Sequence, residues 1–228
     1  MRPALALSLC AFALLSTQPA RAADAEHPAV VELYQSQGCN SCPPAIANLN
    51  ALASRPDVLA LTFAVDYWDS LGWKDTFAKH KFTQRQYDYA SSLGHSGVFT
   101  PQVIVNGRID GVGTGAGEIE NLINHGGAAK AAPEANIVNG QLVIGAGHGG
   151  ADVWVAFYDP RSLDVAIGRG ENAGHTIAHR NVVRDMVLAG HWNGGAQTFD
   201  LPAPPAGMLR AVLLQTAGTG PILLALRG

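Results

Sequence analysis

The sequence predicts an α/β domain followed by a smaller, mostly-β domain with a sandwich-like or barrel-like arrangement of strands. A near-continuous apolar run at residues 58–65 is typical of a central strand in a parallel sheet. Helix-prone stretches separate the strands up to residue 126, as in an α/β domain. Beyond that point short strands are spaced by Gly, Pro and Asp. We therefore predict domains at residues 23–126 and 134–228.

Each element of the first domain has its own signal. A short apolar run at residues 30–34 predicts a buried strand, and the apolar spacing at residues 45–53 predicts a helix. The helix-prone stretch at residues 68–93 has Thr83 as its candidate N-cap and Gly94 as its candidate C-terminal stop. The remaining elements are strands at 103–105 and 109–112, joined by Asn106 and Gly107 as a hairpin, and a helix at 118–125.

The second domain is predicted almost entirely from strands. A hairpin at residues 136–144 turns at Asn139–Gly140, and further strands are predicted at 153–158, 163–167, 209–215 and 222–226. Residues 175–190 fit a helix about as well as a strand. Polar clusters at residues 170–172 and 180–181 are candidates for a polar site, although they match no motif.

The first 22 residues have the pattern of a cleaved secretory signal peptide. Arg2 supplies the positive start, residues 4–15 form a short apolar core, and Ala20–Ala22 gives a small-x-small cleavage signal. The apolar core is too short to span a bilayer, so we predict no stable membrane insertion after cleavage. The mature protein is expected in the periplasm or outside the cell.

Composition excludes several classes of protein. Hydrophobic residues make up 47% of the chain and charged residues only 14%, so a disordered chain is excluded. The net charge is −3, and no basic block is present that could bind nucleic acid by counterion release. The sequence therefore predicts a globular protein with no nucleic-acid partner.

Signal cleavage would remove Cys10 and leave Cys39 and Cys42, spaced C-x-x-C. In an oxidising compartment these two can bond each other, bind a metal, or exchange with another molecule. A disulfide that closes so short a loop restricts the unfolded chain little, so a purely structural role is a poor explanation.

The order of three features resembles the thioredoxin-like superfamily over residues 29–126. These features are the strand at 30–34, the motif Cys39-Asn40-Ser41-Cys42 before a helix, and Thr100-Pro101 before a strand. The chain more narrowly resembles a family of secreted bacterial proteins that carries a thioredoxin-like label and is catalogued as domain of unknown function 1223. That resemblance rests on residues 32–33 with 37–44, and on Asp66-Tyr67-Trp68 with Leu71-Gly72-Trp73.

The superfamily resemblance implies a thiol–disulfide oxidoreductase without a cofactor, acting on protein or small-molecule thiols and disulfides. Cys39 would attack a substrate disulfide, and Cys42 would resolve the mixed disulfide. A helix N-terminus at the motif would stabilise a thiolate. Pro101 would be cis beside the sulfur atoms, and Thr100 would bind substrate as an added strand.

Two further residues are candidates because this chain departs from the superfamily pattern. Gly38 stands where an aromatic residue usually precedes Cys39, so Trp68 is a candidate substitute or else an ordinary core residue. Glu32 lies near the position where related oxidoreductases hold a buried acid. It is either a proton acceptor for Cys42 or a strand glutamate without a catalytic role.

Two other functions remain open from the sequence. The first is a metal-binding or chaperone module that holds Cu(I) with the Cys39 and Cys42 thiolates, since sulfur ligands suit that ion. His175, His179 and His191 are the histidines considered for such a site, although no metal ligand set is predicted. The second is a non-catalytic binding protein whose β domain recognises a partner.

Overall fold

The computed structural model describes residues 23–127 and 132–228, so the predicted signal peptide lies outside the described residues. Three helices are described, which are α1 (Pro43–Leu52), α2 (His80–Leu93) and α3 (Ala116–Gly126). The strands before α3 are β1 (Ala29–Gln35), β2 (Val58–Ala64), β3 (Gln102–Val105) and β4 (Ile109–Gly111). The strands after α3 are β5 (Ala135–Val138), β6 (Gln141–Ile144), β7 (Ala151–Asp159), β8 (Leu163–Ala166), β9 (Thr176–His179), β10 (Val182–Trp192), β11 (Gln197–Asp200), β12 (Leu209–Gln215) and β13 (Ile222–Arg227). None of the helices in the two described ranges is long and apolar enough to cross a membrane.

One mixed sheet connects the two halves of the described chain. Its strand order is β13-β12-β7-β10-β2-β1-β3-β4, with β1 parallel to β2 and antiparallel to β3. β10 joins β2 through the pair Val182–Thr62 and a hydrogen bond from the Thr62 N–H to the Asn181 carbonyl (3.0 Å). Strands from both predicted domains thus share this sheet, while β11-β6-β5 and β8-β9 form smaller sheets.

The strand β1 is buried along its whole length and contributes to two hydrophobic cores. Tyr34 belongs to the core that also contains Phe82 of α2. Leu33 belongs to the core that also contains Cys39 and Cys42. Successive side chains of a strand point to opposite faces of the sheet, so the cysteines and α2 lie on different faces.

Within the helix-prone stretch at residues 68–93, the helix α2 starts after Lys79, which is its N-cap, and so begins before the predicted cap at Thr83. The prediction of Thr83 as the N-cap is therefore wrong. The Thr83 hydroxyl instead accepts a hydrogen bond from the Asp66 N–H (3.0 Å), which ties the first turn of α2 to the loop after β2. Gly94 does end the helix, with a left-handed φ of 78°.

The structure confirms the Asn–Gly turns of both predicted hairpins. The Asn–Gly pairs at residues 106–107 and 139–140 have positive φ and connect β3 to β4 and β5 to β6. Residues 175–190, which the sequence leaves unassigned, contain β9 and most of β10, with Asn181 at positive φ in the turn between them.

Candidate functional site

The C-x-x-C motif lies in the loop between β1 and α1. Cys42 is the N-cap of α1, and Pro43 and Pro44 occupy the first turn, where proline is tolerated because the N–H groups there have no intrahelical acceptor. Cys39 and Cys42 are joined by a disulfide, with their Cα atoms 5.4 Å apart. Both residues are 0% exposed. The disulfide thus lies at the helix start, shielded from solvent.

Ser41 links the motif to the loop before β3. The Thr100–Pro101 peptide bond is cis, which is the isomer that the superfamily resemblance implies, and Pro101 is buried. Ser41 Oγ lies 3.3 Å from Cys39 Sγ and donates to the Thr100 carbonyl oxygen at 3.4 Å. The structure therefore brings the Thr100–Pro101 loop to the cysteines, with the serine hydroxyl between them.

Trp68 lies beside both the motif and Thr100. Its indole N–H donates to Thr100 Oγ1 (2.8 Å), and its partly buried ring packs against the cores on both faces of the sheet. A Cβ atom added at Gly38 would lie 3.6 Å from the Trp68 Cβ. Trp68 thus lies next to the residue before Cys39 and also packs against both cores, so both roles considered for it stay predictions.

Asp75 holds the residues before Cys39 in place, a contact that sequence reasoning missed. Its carboxylate accepts hydrogen bonds from the backbone N–H groups of Gln37 (2.7 Å) and Phe77 (2.8 Å). Trp73 donates its indole N–H to the side-chain oxygen of Gln37 (2.9 Å). Burial raises the pKa of Asp75 to about 6, although the backbone hydrogen bonds lower it.

We expect Asp75 to make the free energy of unfolding depend on pH. Because its folded-state pKa of about 6 lies above the ordinary value of 3.8, its contribution is fully present below pH 3.8 and is lost as the pH rises through 6. Lowering the pH from 7 to 5 should therefore stabilise the chain through this group by roughly 1 kcal/mol.

Urea denaturation of the unmodified chain and of Asp75→Asn at pH 7 and pH 5 measures this contribution. Other groups titrate equally in both proteins, so the difference between the two pH responses isolates Asp75. An identical pH response in the two proteins would show that this carboxylate titrates normally.

The structure does not bring Glu32 to the cysteines. Its carboxylate faces α2 and accepts hydrogen bonds from the hydroxyls of Tyr34 (2.7 Å) and Tyr89 (3.0 Å). Arg85 of α2 binds both carboxylate oxygens, at 2.8 and 3.1 Å, and donates to Gln215 of β12 (2.9 Å). Glu32 is therefore a buried ion-pair partner in this structure rather than a proton acceptor for the second cysteine.

A segment from the second half of the chain is hydrogen-bonded to the backbone of the motif. Residues 168–174, called the cap below, join β8 to β9. Asn172 is buried, whereas the other residues of the cap are exposed. Its side-chain amide donates to the carbonyl oxygens of Gln37 and Cys39, both at 2.9 Å. A single side chain thus joins the cap to two backbone carbonyl groups, one before Cys39 and one of Cys39 itself.

Two further contacts lie between the cap and its surroundings. The Asn40 N–H donates to the Glu171 carboxylate (3.3 Å). Gly72 and Gly170, both with positive φ, approach each other so closely that a Cβ added at Gly72 would lie 3.6 Å from the Gly170 backbone. The first polar cluster noted in the sequence therefore belongs to the site, whereas Arg180 of the second cluster binds α1.

The candidate histidines do not join the cysteines. In the described part of the chain, no group of three or more His, Cys, Asp or Glu residues is arranged to hold a metal ion. His179 is buried, and burial lowers its pKa to about 4. His191 instead pairs with Asp152 (2.6 Å) at an exposed position.

The described residues define a mixed-sheet protein with a buried C-x-x-C disulfide at a helix start, next to a cis-proline loop. The family model described as "Protein of unknown function (DUF1223)" matches residues 30–215, and the chain belongs to this family. No match is found among the curated proteins.

Two solved structures resemble the chain. A crystal structure of a protein from Agrobacterium tumefaciens is 35% identical, with a TM-score of 0.73, and the match covers 91% of this chain and 95% of that one. HBP35 of Porphyromonas gingivalis is 13% identical, with a TM-score of 0.54, over 91% of this chain and 76% of that one. The second likeness concerns the fold alone.

Proposed function

We propose that the chain is an exported thiol–disulfide oxidoreductase with a thioredoxin-like domain at residues 23–126. The observation that carries the proposal is the contact of the C-x-x-C disulfide with the Thr100–Pro101 loop through Ser41. The two cysteines supply both electrons, so the reaction needs no cofactor. Its partners are thiols and disulfides of proteins or small molecules.

The proposed reaction proceeds through a mixed disulfide. The Cys39 thiolate attacks one sulfur of a substrate disulfide, a bond forms between these two sulfurs, and the other substrate sulfur leaves as a thiolate. The Cys42 thiolate then attacks Cys39 Sγ and releases the second substrate sulfur. The substrate gains two electrons and the chain loses two, which forms the Cys39–Cys42 disulfide. The reverse sequence oxidises a substrate dithiol.

The contacts of Ser41 support Cys39 as the attacking residue. Its hydroxyl can turn from the Thr100 carbonyl to donate to a Cys39 thiolate, because both acceptors lie within 3.4 Å. The N-terminal end of α1 adds a positive potential. Pro43 and Pro44 contribute no N–H donors there, so the serine hydroxyl gains importance.

We expect the chain to catalyse the reduction of insulin disulfides by dithiothreitol. Because Cys39 makes the only bond to substrate, Cys39→Ser should lower the rate to that of dithiothreitol alone. Insulin precipitation followed over time measures both rates, and circular dichroism confirms that the variant folds. Copper retention by the unmodified chain without any catalysis would contradict the proposal and favour the metal-binding alternative.

A further inference from the structure

The disulfide in this structure is inaccessible to the molecules that would react with it. Cys39 and Cys42 are 0% exposed, although Asn40 and Ser41 between them are exposed. Thiol–disulfide exchange requires an incoming sulfur to reach one of the two bonded sulfurs, so its rate depends on access. Some part of the cover must therefore move before exchange can occur.

We propose that the cap is the part that moves and that Asn172 is the positioning residue that holds it closed over Cys39. The role that we assign to this movement, control of substrate access, rests on the proposed function. The opening itself is a property of the disulfide that can be measured on its own.

Only a few of the hydrogen bonds in the described residues attach the cap to the motif. Asn172 supplies two hydrogen bonds from one amide, and the Glu171 carboxylate supplies one long contact at an exposed position. Beneath the cap, Ile167 and Ile177 pack in the core that contains the cysteines. This base fixes the hairpin to the core, while the exposed cap buries little that would oppose its opening.

Positive-φ glycines lie within the cap and at its end. Gly170 has φ +77 and Gly174 has φ +83. Gly170 lies where a Cβ would meet the Trp73 Cβ at 3.3 Å, so the cap packs directly on the loop that holds Gln37. Rotation at Gly170 would lift Asn172 without disturbing the pairing of β8 with β9, whereas the Gly174 N–H donates to the Ile167 carbonyl (2.8 Å) at the base of the hairpin.

Reduction of the disulfide by dithiothreitol reports on this opening. One thiolate of dithiothreitol attacks a sulfur of the Cys39–Cys42 bond, and the other cysteine leaves as a thiolate. The second thiolate of dithiothreitol then closes its own ring disulfide and releases the first cysteine. Two electrons pass from the reagent to the chain, and each step requires an exposed sulfur.

We expect Asn172→Ala to increase the rate of this reduction about tenfold in the full chain. The matched control is Asn181→Ala, which removes a buried hydrogen bond from the side-chain amide to the Ala60 carbonyl (2.9 Å) but leaves the cap contacts in place. Quenched alkylation followed by peptide mass mapping measures reduction at the cysteine pair. A wild-type rate in Asn172→Ala, or an equal increase in Asn181→Ala, would overturn the proposal.

A measurement on the unmodified chain tests the proposal independently, in case Asn172→Ala does not fold. Low urea concentrations should increase the reduction rate with a slope well below that of global unfolding, because opening the cap exposes little surface. A slope equal to that of global unfolding would overturn the proposal. A different outcome would separate the two proposals. If the chain fails to catalyse insulin reduction, while urea has the expected small effect and Asn172→Ala is reduced faster, the proposed function is refuted and the opening of the cap is supported.

Discussion

Replacing Arg85 with leucine is expected to lower the free energy of unfolding by about 3–5 kcal/mol, because it leaves a buried carboxylate without its partner. The side chains of Arg85 and Glu32 are only 7% and 1% exposed. The Tyr34 and Tyr89 hydroxyls would still donate to Glu32, but neither carries a compensating charge. Loss of the hydrogen bond to Gln215 would also weaken the connection between α2 and β12.

Urea denaturation at pH 7 measures the effect, with Arg55→Leu as the matched control. Arg55 pairs with Asp57 at 2.6 Å and with Glu120 at 2.5 Å, but all three side chains are at least 33% exposed, so its loss should cost at most about 2 kcal/mol. Equal losses of stability in the two variants would contradict the account of the buried ion pair.

The sequence predicts those elements whose signal is local. The apolar run that forms β2, the Asn–Gly hairpin at residues 106–107 and the cysteine pair before α1 are each specified by neighbouring residues. The Asn172 contact could not be predicted, because Cys39 lies 133 positions away and only the packing of the β8–β9 hairpin brings the two together.

The sequence left two roles open for Glu32 for a different reason. Because successive side chains of a strand alternate, Glu32 and Leu33 of β1 point to opposite faces of the sheet. The sequence does not show which face of the sheet α1 covers, so it does not show whether the C-x-x-C motif lies on the same face as Glu32. It also gives no sign that Arg85, 53 positions away, supplies the charge that keeps this carboxylate buried.

The first part of the helix-prone stretch at residues 68–93 forms no α-helix, because it contributes to the site. In the structure, this segment contains a 3₁₀ turn at Asp69–Leu71 and the loop of Trp73 and Asp75, which bind Gln37. Helix-forming composition was overridden by these tertiary contacts, which the sequence pattern does not encode.

Cys42→Ser is expected to leave Cys39 covalently attached to its substrate. The serine hydroxyl cannot displace a thiol from a mixed disulfide, so only an external thiol can release the adduct. Uncatalysed disulfide rearrangement takes minutes to hours, and we expect the adduct to persist on that timescale. In the unmodified chain, Cys42 should resolve the same adduct too quickly for it to accumulate.

Identification of the cysteine that carries the adduct tests the central claim most directly. Reduced Cys42→Ser and Cys39→Ser proteins are incubated with oxidised glutathione, quenched with acid and mapped by peptide mass. We expect glutathione on Cys39 of the first variant, formed at least about ten times faster than any adduct on Cys42 of the second. Equal rates at the two cysteines, or faster reaction at Cys42, would contradict it.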